Sequence, residues 1–227
     1  MSGEIDLEKN CWDIIDSYFS TIPNYISKNQ IDSYNMFLDE QIAKTVRQFN
    51  PLQFVFETDS NKRYELDVVI GGTLQEGEVI NSGLGLNLGK AVIRENRKNP
   101  DGTATGITKE LYPNEARLKN LTYSIPIYAD IYMTYKIIDK SKPEEEAVEF
   151  SSQPILFKKK LLGKIPCMLQ SKGCVLSSIP RANLKEFGEC PYDHGGYFII
   201  DGKEKVITAQ TRQIENKIYT KKNEPDD

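Results

Sequence analysis

Histidine is almost missing from this chain of 227 residues: His194 is the single copy, and cysteine occurs only four times. One imidazole leaves little for nucleophile and base chemistry, and no serine lies in a Gly-x-Ser-x-Gly elbow. No clustered Asp-x-Asp arrangement is present to hold magnesium for phosphoryl transfer. No apolar run approaches the roughly 18 residues of a membrane-spanning helix. The start, Met1 to Asp6, has no basic segment followed by an apolar run. A soluble, intracellular protein with no membrane partner is expected. Cys11, Cys167, Cys174 and Cys190 are too irregularly spaced for a secreted disulfide framework and are expected as free thiols.

What is present is ordinary for a globular chain, 39% hydrophobic and 27% charged, long enough for one large domain or two small ones. The charge is unevenly placed. Residues 1–150 hold 16 basic and 24 acidic side chains, whereas 151–222 hold 13 and 6. A polyanion, if one binds, belongs on the later half.

Leu7, Cys11, Ile14, Ile15, Tyr18, Phe19 and Ile22 recur at helical spacing and stop at Pro23; Ile31, Tyr34, Phe37, Leu38, Ile42, Val46 and Phe49 repeat the pattern up to Pro51. Two amphipathic helices, each with one face on a sheet, are expected. Alternation then takes over at Leu52–Phe56 and Tyr64–Ile70, and Gly71–Gly106 reads as loops around one or two short strands. Every odd position from Leu121 to Ile137 is apolar, which gives one long strand or two broken near Pro126. Lys140–Glu146 reads as a charged surface excursion and Phe157–Leu169 as strand. Gly196–Ala209 reads as a hairpin turning on Asp201-Gly202. Helices followed by separate strands indicate an α+β fold, with two N-terminal helices packed on a mainly antiparallel sheet.

Three sites can be weighed. Cys167, Cys174, Cys190 and His194 are the ligand types zinc prefers, but C-x6-C-x15-C-x3-H lacks the close pair one turn would present; cysteines that bind nothing are the simpler reading. Gly83–Lys90 resembles a phosphate loop but has Leu84 and Ala91 where that loop requires Gly and Ser/Thr. The remaining signal is basic: Lys158, Lys159, Lys160, Lys164, Lys172, Arg181, Lys185, Lys203, Lys205 and Arg212. It is either a phosphate-binding surface or a solvated charged face.

Four collinear stretches carry a resemblance. LYPNEARLKNLTY (111–123), GKIPCMLQSKGC (163–174), ECPYDHGGYFIIDGKEKVITAQ (189–210), and Trp12 with QIDSYNMF (30–37) resemble the second-largest, β-type subunit of multisubunit DNA-directed RNA polymerases of the eukaryotic, archaeal and large-DNA-virus kind. The match covers about residues 7–220. It implies the first part of the protrusion domain on the rim of the DNA cleft, with a helical segment at 1–50, a β-rich part at 51–220, and a polar tail at 221–227 where the lobe would start.

The family's catalytic residues lie beyond residue 227, so the resemblance implies no catalytic residue and no cofactor in this chain; Mg2+ and Zn2+ are expected elsewhere in the complete polymerase. The implied nucleic-acid-facing residues are Lys203, Lys205, Gln210 and Arg212. Lys205 falls on the family's Glu-Lys-Val lysine, and Gln210 and Arg212 on its Gln-Glu-Arg, where Thr211 replaces the Glu and removes any charge pair it makes. Implied partners are template DNA, the DNA–RNA hybrid, the remainder of the subunit, the largest and assembly subunits, and transcription initiation factors. The implied location is intracellular, in host cytoplasm, nucleus or virion if the source is viral. A competing reading makes the chain a platform for polymerase subunits or factors with no DNA affinity of its own.

Overall fold

The computed structural model describes residues 7–57, 62–98, 104–141 and 148–220. The charged excursion from 142 onward and the tail at 221–227 lie outside the described residues. Helix α1 (Leu7–Thr21) ends before Pro23. Helix α2 (Lys28–Met36) runs through a π-helical turn, Phe37–Gln41, into α3 (Ile42–Phe49), so the second apolar stripe is one rod with a widened turn inside it. The rod stops where Asn50 turns extended before Pro51. The Asn50 amide then donates to the Ile70 carbonyl (2.6 Å) and accepts the Ile70 N–H (3.1 Å), fixing the helix end to the sheet.

The strands are β1 (Leu52–Glu57), β2 (Lys62–Ile70), β3 (Thr73–Gln75), β4 (Glu78–Ile80), β5 (Leu86–Leu88), β6 (Val92–Lys98) and β7 (Ala104–Glu110). After the short helix α4 (Pro113–Leu118) come β8 (Ser124–Asp139), β9 (Val148–Ser151), β10 (Ile155–Pro166), β11 (Phe198–Ile200) and β12 (Lys203–Lys205). The main sheet runs β1-β2-β8-β10, with β5 and β9 also paired to β8; the hairpins β3-β4, β6-β7 and β11-β12 stand apart. All these pairings are antiparallel. The α+β class with a mainly antiparallel sheet is thus the observed one.

Three expectations are corrected in detail, and at Pro126 the first of the two readings, one long strand, is the observed one. Gly71–Gly106 holds four strands and the start of β7 rather than one or two strands; β3, β4 and β5, of three residues each, are too short to show a period. Strand β10 stops at Pro166, short of the expected Leu169. Strand β8 runs unbroken through Pro126. The Pro126 carbonyl accepts the Gly89 N–H (2.8 Å), so the proline's missing donor faces the point where β5 has already ended. The apolar stripe of α1 does not lie on the sheet: Trp12, Ile14, Tyr18 and Phe19 are exposed, Ile14 to 70%.

The core sits at one end of the sheet. Tyr123, Ile125, Cys167, Leu169, Leu176, Leu184 and Ile199 pack there with Leu38 from the π-helical turn and Ala116 from α4. The other end is open on one face. Register places Phe54 opposite Leu66 and Leu66 opposite Tyr135, and sets Phe56, Tyr64, Ile137 and Phe150 in the next row. Partners in register share a face, so these side chains form one apolar surface. Phe54, Phe56, Tyr64, Tyr135 and Phe150 are all exposed, Phe56 to 57%. The opposite face carries Glu65, Asp67 and Lys136.

Ile125→Ala in the closed end should lower stability by about 2–5 kcal/mol in urea unfolding, as loss of a fully buried side chain does. Ile14→Ala on the open helix stripe should stay within about 0.5 kcal/mol.

Candidate functional site

The hairpin β11-β12 forms as its turn chemistry requires. Asp201 (φ 50°) and Gly202 (φ 74°) take the left-handed angles of a two-residue turn, and Phe198 pairs with Lys205, Ile199 with Glu204, Ile200 with Lys203. At Gly202 a Cβ would come within 2.8 Å of the Asn120 backbone, so only glycine fits. The hairpin is bound to the core by main-chain bonds: Tyr123 N–H to Ile199 O (2.9 Å), and Gly202 N–H to Leu121 O (3.0 Å). Tyr123 is fixed in turn by its hydroxyl, which accepts the Val175 N–H (3.1 Å).

A polar cluster holds the hairpin from the side. Arg117 on α4 reaches Glu189 (2.9 Å), Glu204 of β12 (2.8 Å) and the Tyr197 hydroxyl (2.7 Å). Tyr197 donates to Asp193 (2.5 Å), and Glu189 also accepts the Asn114 N–H (2.6 Å). The Glu189 side chain is only 4% exposed. Burial works against the Arg117 charge, but the Glu189 carboxylate, then Tyr197 and Glu204, outweigh it and hold the guanidinium above its ordinary pKa. Burial and then the bond to Asp193 push the Tyr197 phenol up.

Because side chains alternate along a strand, Glu204 turns to Arg117 and its neighbours Lys203 and Lys205 stand on the other face, both exposed. Gln210 and Arg212 follow on an exposed segment that Gln30 tethers by donating to Ile207 O (3.1 Å). Arg212 spends its charge locally on Glu215 (3.3 Å), which supplies a carboxylate where Thr211 removes one. Lys203 and Lys205 therefore form a pair on the hairpin, while Gln210 and Arg212 lie further along the exposed segment.

The other candidate sites resolve differently. Cys167 and Cys174 are free thiols buried side by side, and a hydrogen bond to Cys174, then burial, pushes the Cys167 thiol up so that it stays protonated. Cys11 and Cys190 are exposed. Among the described residues no group of His, Cys, Asp or Glu is arranged to hold a metal ion. The glycines of 83–90 serve packing. A Cβ on Gly85 would lie 2.8 Å from Gly72 O, and Lys90 is paired with Glu110 (2.6 Å). Lys172 pairs with Asp39, and Arg181 donates to Asn24.

The Arg117 cluster was not found by reading charge or spacing, since its members lie 72 and 87 positions apart. The one signal was that Arg117, Glu189, Asp193, Tyr197 and Glu204 all fall inside the motif segments 111–123 and 189–210.

The profile of the family described as "RNA polymerase beta subunit" matches residues 25–214. DNA-directed RNA polymerase II subunit 2 of Arabidopsis thaliana is 34% identical over 219 residues, covering 96% of this chain and 17% of that protein. Subunit RPB2 of Schizosaccharomyces pombe is 35% identical over 215 residues, covering 92% and 16%. Subunit Rpo2N of the archaeon Methanothermobacter thermautotrophicus is 29% identical over 212 residues, covering 93% and 32%. The chain spans about a sixth of the length of these eukaryotic relatives and about a third of the archaeal one.

Arg117→Ala should cost about 3 kcal/mol in urea unfolding, because it leaves the Glu189 carboxylate buried and short of its cation. The pair Arg117→Met with Glu189→Met should recover most of that loss, and the cycle of single and double variants measures the coupling.

Proposed function

The chain belongs to the RNA polymerase beta subunit family, matching the N-terminal region of the second-largest subunit; on that premise we propose that it forms the first part of the protrusion, a wall on the rim of the cleft in a DNA-directed RNA polymerase. The complete enzyme transfers nucleotides to a growing RNA on a DNA template. This part contributes scaffold and surface, and the catalytic metal and the zinc site belong to other regions of the polymerase.

The observation that carries the reading is the collinear match over 25–214 joined to a sheet with one finished end and one open end. A row of exposed aromatic side chains on a sheet face is unstable in water unless something covers it. The relatives continue for several times the length of this chain, so the remainder of the same subunit is the partner proposed for that face. The hairpin then presents Lys203 and Lys205 to template DNA or the DNA–RNA hybrid as phosphate contacts, held in place by the Arg117 cluster. Such contacts add affinity without reading sequence.

A second reading, that the N-terminal region mainly docks other polymerase subunits or initiation factors, is favoured by the open stripe Trp12, Ile14, Tyr18 and Phe19 on α1. The acidic balance of residues 1–150 agrees with it.

In the assembled polymerase, Lys205→Ala should weaken binding to a template–RNA scaffold about equally across sequences and make the slope of log K against log salt shallower by about one. An unchanged slope removes Lys205 from the phosphate contacts and leaves the docking reading.

A further inference from the structure

Strand β10 carries a feature that neither the hairpin nor the core uses. From Phe150 through Lys185 there are seven basic residues and no Asp or Glu. Four of them, Lys158, Lys159, Lys160 and Lys164, lie within seven positions on β10, which has no further strand on its outer side. The register with β8 slips between Phe157 and Lys160 and again between Leu161 and Gly163, so the lysines sit on a double bulge.

The bulge is built rather than loose. Lys159 takes a left-handed backbone (φ 48°), and its N–H donates to Asp130 Oδ1 (2.7 Å). Asp130 is itself held through its main chain, its N–H to Gly85 O (2.9 Å) and its carbonyl to Gly71 N–H (2.7 Å). The Asp130 carboxylate thus anchors the backbone of the bulge, and among the described residues it forms no ion pair with a lysine. Lys159 Nζ lies 5.5 Å from the centre of the Tyr128 ring and Lys160 Nζ 6.0 Å from that of Phe157. These rings support the side chains without neutralising them.

None of the four ammonium groups makes an ion pair among the described residues, whereas Lys28, Lys90, Lys109, Lys119, Lys140 and Lys172 all do. One lysine or one bulge is enough to keep an edge strand from pairing with another chain. Four unpaired lysines on a double bulge exceed that need.

We propose that the bulged edge of β10, through Lys158, Lys159, Lys160 and Lys164, is a second nucleic-acid backbone site, separate from the β11-β12 hairpin. At about 3.3 Å per residue the ridge is roughly 20 Å long, which faces about six phosphates of one strand at about 3.4 Å each along a helix axis. The site binds phosphates by charge. This rests on the polymerase reading above, since that supplies the nucleic acid.

The test is fluorescence anisotropy of the assembled polymerase across a salt series, with two probes, a DNA duplex and a DNA–RNA hybrid. Lys158→Ala, Lys159→Asn and Lys160→Ala are combined in one variant, Asn being chosen because it tolerates the left-handed backbone. Lys28→Ala, which removes an ion-paired lysine, is the control, and Lys203→Ala with Lys205→Ala is run in parallel. The β10 variant should flatten the slope of log K against log salt by about two to three, from about 0.9 per phosphate contact, with the control unchanged. Flattening with one probe only supports the site and identifies its ligand. A slope equal to that of the unaltered polymerase with both probes overturns it. If the β10 variant flattens the slope and the hairpin variant does not, the hairpin assignment fails while this one stands. A chain that does not assemble into a polymerase that binds the scaffold overturns both.

Discussion

One strand, β8, organises the molecule: four other strands hydrogen-bond to its 16 residues, two on each side. Its odd-numbered side chains face one way throughout, but their surroundings change along the strand. Ile125 and Ala129 are fully buried among the loops and α4, while Tyr135 at the other end is exposed in a row of aromatics. Tyr123, just before β8, closes the finished end by bonding to Ile199 and Val175. The candidate hairpin is therefore attached to the most tightly packed part of the molecule, and the open face lies at the far end of the same strand.

Charge follows the same division. In the acidic half the lysines are largely neutralised by neighbours, as where Lys109 and Lys119 share Glu95 and Glu115. In the later half Lys203, Lys205 and the β10 lysines form no ion pair among the described residues. Exposed pairs of the first kind add little to stability, so their effect is to offset part of the positive charge of the first half locally. The unpaired lysines give the later half its field, and a polyanion would meet them first.

The hairpin was legible because Asp201-Gly202 names its turn. The long strand was legible from nine apolar odd positions between Leu121 and Ile137. What was not legible depends on distance in space. Nothing local in Arg117, Glu189 and Glu204 says that they meet. The sequence left one strand or two at Pro126, because a proline's consequence depends on which side of the strand lacks a partner. The α1 stripe has a core residue's spacing, but a stripe does not reveal whether its covering surface lies within the same chain. Gly71–Gly106 concealed short strands whose pairing is fixed by turns such as Glu76-Gly77, both at positive φ, rather than by period.

Hydroxyl-radical footprinting of Phe54, Phe56, Tyr64, Tyr135 and Phe150 reads the cover over the open face directly, in the chain alone and in the assembled polymerase. These rings should be oxidised in the isolated chain and protected in the assembly, with buried Tyr123 unreactive in both. Equal oxidation of the five rings in the two samples is incompatible with a face closed by the rest of the subunit.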